Sequence, residues 1–326
     1  MVRFLGAGST PHSADGLRTY QAGRRPDAPR FRRDLSLTRR KVSDGHDQSH
    51  VHDGRAPILP FDRRLLALLI LGAGPAWAEE LPKTPMSPLC TDRPTKSTGP
   101  CTVDEGHWQV ETDLADLTSQ EVGSARTRAW VAVSPTFKFG FTPNLDLELS
   151  SSPYISVSIR ENGVRTTLSG MGDTTLRLKS TVMNGQAAIA ISPFIKLPTA
   201  RRGLGNGKIE GGVILPLQFA LADDVQLLLD PELDALENQG GSGRHLNAAG
   251  LVSLTKTVTP STSLSAEIWG DTNYDPSGTI HQVSADFGLA WSPPWNSNLQ
   301  WDTGLNLGLN KATPRTGVYL GLSRRF

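Results

Sequence analysis

Several kinds of chemistry are poorly provided for in this sequence. Only two of its 326 residues are cysteine, Cys90 and Cys101. That is too few for a thiolate metal site, and their separation is not the C-x-x-C spacing of a redox motif. No run approaches the roughly 20 apolar residues that a membrane-crossing helix needs. The longest apolar stretch, Leu65 to Ala73, is nine residues and is interrupted by Gly72. Nor is there an excess of charge of one sign, since the formal net charge is +1. Arginine clusters at Arg24-Arg25 and Arg39-Arg40-Lys41 stand without any supporting nucleic-acid motif, so no nucleic-acid partner is expected.

The balanced charge conceals a division. Residues 1–78 carry 13 Lys+Arg against 7 Asp+Glu, whereas the remainder carries 20 against 25. A basic leader before an acidic body suggests two parts that do not share a fold. Arg63-Arg64, the apolar run, Gly74-Pro75 and small residues at Ala76 and Ala78 follow the order of a secretory signal, with cleavage expected after Ala78. The signal is assigned to 61–78. Residues 1–60 show no sustained period. They are read as an upstream mis-assigned start in preference to a disordered extension. His46, His50 and His52 lie there beside Asp44, Asp47 and Asp53, but no metal site is assigned to them. Residues 79–106 are read as a periplasmic segment. In an exported chain an even pair of cysteines suggests one structural bridge, Cys90–Cys101, closing a short loop.

From His107 to Phe326 the sequence alternates. Leu299, Trp301, Thr303, Leu305, Leu307 and Leu309 share one face against Gln300, Asp302, Gly304, Asn306 and Gly308. Leu145, Leu147 and Leu149 likewise oppose Asp146 and Glu148. Such period-2 patterning marks strands with one apolar and one polar face. It yields twelve candidates: 107–117, 127–139, 144–160, 172–183, 186–198, 208–221, 225–234, 245–258, 261–272, 279–292, 297–310 and 315–326. No useful helical stretch intervenes, so the pairing is antiparallel. Connections near 140–143, 184–185, 222–224, 259–260 and 293–296 read as short turns. Those at 118–126, 161–171, 199–207, 235–244 and 273–278 read as the longer set, which the five-residue connection 311–315 fits less well. Short and long connections in alternation indicate an all-β, antiparallel, up-and-down transmembrane β-barrel spanning 107–326. Trp108, Trp130, Tyr154, Trp269, Trp291, Trp295 and Trp301 are read as belts near the strand ends. Phe326, closing an alternating strand, resembles the insertion signal read by the barrel-assembly machinery. Arg324 departs from that pattern, since it falls on the apolar face and would have to snorkel.

Alternation cannot say which face points inward. If the apolar face meets outer-membrane lipid, the polar face lines a lumen. The candidates are Glu111, Asp113, Lys138, Asp146, Glu148, Asp173, Arg177, Lys179, Lys196, Glu210, Asp230, Glu232, Lys256, Asp286 and Asp302. Twelve strands lie between filled eight-stranded barrels and open porins, so the bore should be narrow and its selectivity set by charge. The same residues could instead close a polar core with no pathway. Two signatures of other activities are set aside, the second kept as an alternative. Gly203-Leu204-Gly205-Asn206-Gly207-Lys208 looks like a phosphate loop, but Ile209 stands where Ser or Thr is required and a strand follows. His107, His245 and His281 raise an outer-membrane lipid hydrolase, yet no serine is placed to serve them. No catalytic residue, metal or cofactor is assigned.

Certain segments resemble one family. These are Cys90-Thr91-Asp92-Arg93-Pro94-Thr95-Lys96, Pro100-Cys101-Thr102-Val103, Gly170-Met171-Gly172-Asp173 with Leu176 and Lys179, and Pro193-Phe194-Ile195-Lys196-Leu197-Pro198-Thr199. Gly205 to Gly212 and Leu320 to Phe326 complete the set. Together they are similar to the proteobacterial outer-membrane transporter group named for the MetA pathway of phenol degradation. The resemblance spans 90–326 and implies passage of small solutes, aromatic or other organic compounds among them.

Overall fold

The computed structural model describes residues 86–326. The upstream segment, the signal peptide and its cleavage site lie outside the described residues. Sixteen β-elements follow: β1 (Trp108–Val122), β2 (Ala125–Thr142), β3 (Leu145–Ser151), β4 (Tyr154–Glu161), β5 (Val164–Gly170), β6 (Thr174–Met183), β7 (Ala187–Leu197), β8 (Glu210–Ile214), β9 (Leu217–Ala222), β10 (Val225–Leu229), β11 (Glu232–Glu237), β12 (Arg244–Thr259), β13 (Thr262–Asn273), β14 (Ile280–Trp291), β15 (Leu299–Gly308) and β16 (Thr316–Arg325).

These sixteen elements make twelve strands, because β3/β4, β5/β6, β8/β9 and β10/β11 are each one strand interrupted. Pro153, Pro216 and Pro231 stand at three of the breaks, where a residue without an N–H cannot donate to the ladder. The sheet continues across them, for β2 pairs with both β3 and β4, and β12 pairs with both β10 and β11. All neighbours are antiparallel, and β1 pairs with both β2 and β16, which closes the barrel.

Two expected long connections are not loops. The β1–β2 turn is only Gly123-Ser124, and β4 turns into β5 through Asn162-Gly163. Asn162 and Gly163 have φ of 49° and 82°, the consecutive left-handed pair of a tight hairpin, for which Asn-Gly is the preferred dipeptide. Both hairpins therefore extend beyond the expected ends of their strands.

Burial settles the facing. Large apolar side chains along the strands are exposed, such as Leu233 at 53% and Ile268 at 52%, whereas Lys179, Asp146 and Glu148 are 0% exposed. A soluble barrel does the reverse; this inside-out arrangement is that of a transmembrane barrel. Trp108, Phe139 and Phe141 stack at the short-turn end, as do Trp291 and Trp295, and Trp130 meets Tyr154 toward the opposite end. Trp269 is a correction to the expected belts, since it is buried on the inner face.

The breaks change the alternation as well as the pairing. On β3 the buried residues are Asp146, Glu148 and Ser150, and on β4 they are Ile155 and Val157. One residue has been gained, as at a bulge, and the apolar set now points inward.

Candidate functional site in the barrel interior

The segment ahead of β1, expected to lie apart from the barrel, runs through its interior. Residues 87–104 contain Pro88, Pro94 and Pro100 and form no strand. Cys90 and Cys101 are bonded, which folds the segment back on itself. With no sheet of its own to satisfy its polar groups, the segment draws on the wall.

Asp92 receives the ammoniums of Lys138 at 2.5 Å and Lys179 at 3.0 Å, and the Gly99 N–H at 2.8 Å. Arg93 donates to Asp302 through Nε at 2.9 Å and Nη2 at 2.6 Å, and pairs with Asp113 at 2.8 Å. Its guanidinium lies 5.6 Å from the Tyr319 ring centroid, whose hydroxyl donates to the Pro94 carbonyl. Lys96 reaches Asp286 at 2.6 Å over the face of Trp269. The Thr98 N–H donates to Asp230, and the Val103 N–H to Asp146. A Cβ at Gly321 would collide with the Arg93 guanidinium, and one at Gly288 with the Pro94 ring. Glycine at these inner positions is what lets the segment approach.

Desolvating an ion is costly, and only well-formed partners offset it. Burial drives the Asp92 carboxyl upward, but Lys138 and Lys179 outweigh it and hold the group well below the usual carboxylate range. Burial likewise opposes the charge on Arg93, while Asp113 and Asp302 raise its pKa above the ordinary value. A carboxylate whose folded pKa is lowered contributes stability that is complete above its unfolded pKa of about 4 and is lost as pH falls through the folded value. Acidification from pH 7 to pH 5 should therefore leave the segment docked. Protease cleavage within 87–104 should become faster only at pH values well below 4; release already at pH 5 would contradict this.

The wall beyond the segment has its own pairs. Arg177 donates to Glu148 at 3.1 Å, and Lys196 bridges Glu210 at 2.8 Å and Asp173 at 3.3 Å. The phosphate-loop-like run 203–208 belongs to the β7–β8 connection, which folds inward. Leu204 is 1% exposed against Val131, Ile155 and Val157, and Asn206 accepts from Lys196 at 2.9 Å. Beside the inserted segment, toward the short-turn end, a cavity of about 570 Å3 remains. Its walls are mostly uncharged polar side chains, among them Thr181, Asn184, Gln218, Gln226, Thr255, Ser263, Ser265 and Gln300.

Thirteen of the fifteen lumen candidates are buried in this interior: Glu111, Asp113, Lys138, Asp146, Glu148, Arg177, Lys179, Lys196, Glu210, Asp230, Glu232, Asp286 and Asp302. Asp173 sits in the β5/β6 break with its side chain 6% exposed. Lys256 is a correction. It shares the outward face with Val252 and Leu254, is 57% exposed and pairs with Asp224 at 2.7 Å. Near the end of β12 it can reach the head-group level, so lipid facing does not forbid the charge. Arg324, the misfit of the last strand, stacks over the Phe326 ring at 4.7 Å.

Periodicity missed Asp92, Arg93 and Lys96, which lie outside any strand, as well as Glu267, Asp234, Asp271, Trp269 and Tyr319. For the wall residues the inner parity of β11, β13 and β16 was the available signal. At His245, one of the histidines that raised the hydrolase alternative, Nδ1 lies 3.0 Å from Asn238 Oδ1 and 3.6 Å from Asp275, to which Ser277 donates.

The family model described as "Putative MetA-pathway of phenol degradation" matches residues 91–326. Among solved structures, an outer-membrane channel from Pseudomonas putida F1 is similar with a TM-score of 0.54 and 12% identity, covering 69% of this chain and 97% of that one. The NanC porin matches with a TM-score of 0.42 and 8% identity over 67% of this chain and 98% of its own. The CymD monoaromatic hydrocarbon channel matches at 0.40 and 10% over 68% and 88%. These likenesses concern the fold. A search of curated proteins finds no match.

Proposed function

The chain belongs to the family of the MetA pathway of phenol degradation, and from that premise and its interior we propose an outer-membrane channel for passive entry or exit of small organic solutes. The observation that carries the reading is the cavity of about 570 Å3 left beside the inserted segment in an otherwise polar, inside-out barrel. Uncharged hydroxyl and amide groups on its walls suit a neutral solute with a ring and one or two hydrogen-bonding groups, and phenol-like compounds are of that class. In this reading the signal peptide exports the chain, the termini face the periplasm, and Phe326 marks the last strand for assembly.

Selectivity follows from the charge of the interior. Asp230, Glu232, Asp234, Glu267, Asp271 and Asp286 lie on β11, β13, β14 and the break before β11, opposite the basic wall of Lys138, Arg177, Lys179 and Lys196. Charged groups on the lumen wall set the preference among small ions, and removing the guanidinium of Arg177 would leave its partner Glu148 in excess. Arg177→Gln should move the reversal potential in a salt gradient toward cations. An unchanged potential would remove Arg177 from the pathway.

Planar-bilayer recording of the refolded mature barrel, paired with swelling of liposomes in small neutral aromatics and sugars, tests the channel itself. Discrete current steps with faster swelling are expected. If a demonstrably folded barrel gives neither, even with the inserted segment released, the non-conducting structural or assembly barrel takes the place of the channel.

A further inference from the structure

The outer surface of the barrel carries a feature that permeation does not use. On β2, β4 and β5 the register sets Arg126 opposite Arg160, and Arg160 opposite Arg165. Three like charges thus stand side by side on neighbouring strands, spanning only about 10 Å at the usual inter-strand spacing. Arg128 lies one step lower, opposite Ser158. All four point outward, for Thr127, Val131, Ile155 and Val157 take the buried positions between them and all four arginines are exposed.

Cations directly across a ladder repel, and more strongly beside hydrocarbon than in bulk water. Compensation within the protein is slight. Glu121 is shared between Arg126 at 3.4 Å and Arg315 at 2.9 Å. Arg165 donates to the hydroxyl of Ser158, at 2.6 Å. Among the described residues no carboxylate pairs with Arg128, Arg160 or Arg165.

The level of the row is marked by Trp130 and Tyr154. Their rings meet 5.7 Å apart on the same outward face, two residues below Arg128. Such aromatics sit at the boundary of the apolar band, so the guanidiniums stand at head-group height, at the end away from both termini. Below the boundary the same face offers Leu149 and Leu178.

We propose that this face binds a phosphorylated lipid of the outer leaflet, its phosphates held by Arg128, Arg160 and Arg165 and its acyl chains lying along the apolar surface beneath. Guanidinium forks match phosphate oxygens two at a time, which a row of lysines would not. The bound anion removes the repulsion that the register imposes.

The test is native mass spectrometry of the barrel in neutral detergent with diphosphorylated lipid A and with the same lipid stripped of phosphate. The wild type should retain the phosphorylated lipid about tenfold better or more, and Arg128→Gln/Arg160→Gln/Arg165→Gln should lose that preference. Folding of the variant is checked by heat-modifiable gel mobility; should it fail, Arg160→Gln alone carries the comparison. Equal retention by variant and wild type, or of both lipids by the wild type, overturns the proposal. So does displacement of the lipid by millimolar inorganic phosphate, which would make this a site for the free ion.

Discussion

Replacing Arg93 with alanine is expected to have the largest effect of any single change, lowering stability by about 3–5 kcal/mol, as when one partner of a buried ion pair is removed. Arg93 is held between Asp113 and Asp302, and its guanidinium and the Asp302 carboxylate are 0% exposed. Without it two carboxylates face each other in the interior, and the stack on Tyr319 is lost. The unfolding midpoint in urea, followed by tryptophan fluorescence, should fall. Conductance of the reconstituted barrel should rise severalfold as the segment loosens. Arg93→Lys should recover only part of both, because an ammonium cannot make the forked contact to Asp302. A variant with wild-type midpoint and wild-type current would show that the segment is not held at this point.

Lys138→Met comes next in size. One ammonium reaches Asp92 at 2.5 Å, Glu111 at 2.7 Å and Glu148 at 3.5 Å, so its removal leaves three carboxylates with Lys179 as the remaining nearby ammonium. Loss of a charge at the centre of such a cluster should again cost about 3–5 kcal/mol. The deficit should be greatest at neutral pH and shrink on acidification, since protonated carboxyls no longer repel. Adding Asp92→Asn should restore a measurable share, and a double-mutant cycle would read that coupling directly. If the two changes simply add, Asp92 and Lys138 are not energetically joined.

Much of the wall was legible because period 2 is a local property. Leu145, Leu147 and Leu149 against Asp146 and Glu148 mark a two-faced strand whatever surrounds them. The four interruptions were not legible in this way. Ile155 and Val157 look like the outward continuation of Leu149 until the break at Ser152-Pro153 turns them inward. Asn162-Gly163 did carry its hairpin in plain view, by the left-handed preference of the dipeptide, within a stretch expected to be loop. Lys256 was misassigned by its charge alone, since Val252, Leu254 and Val258 share its parity and mark the outward, apolar face. The inserted segment was visible only as a proline-rich, disulfide-closed stretch.

The sequence by itself determined the strands, their number, their antiparallel order and the pairing of the two cysteines, since each rests on neighbours within one strand or one short loop. Only the tertiary structure decided which face meets lipid and what fills the lumen. Alternation is unchanged when inside and outside are exchanged, so the facing emerges only when the sheet closes and one side loses its solvent. The contacts that hold the segment, Arg93 to Asp302 or Thr98 to Asp230, join residues 209 and 132 positions apart. No local pattern encodes such pairs; they exist because closure brings a ring of buried charges around whatever chain can neutralise them.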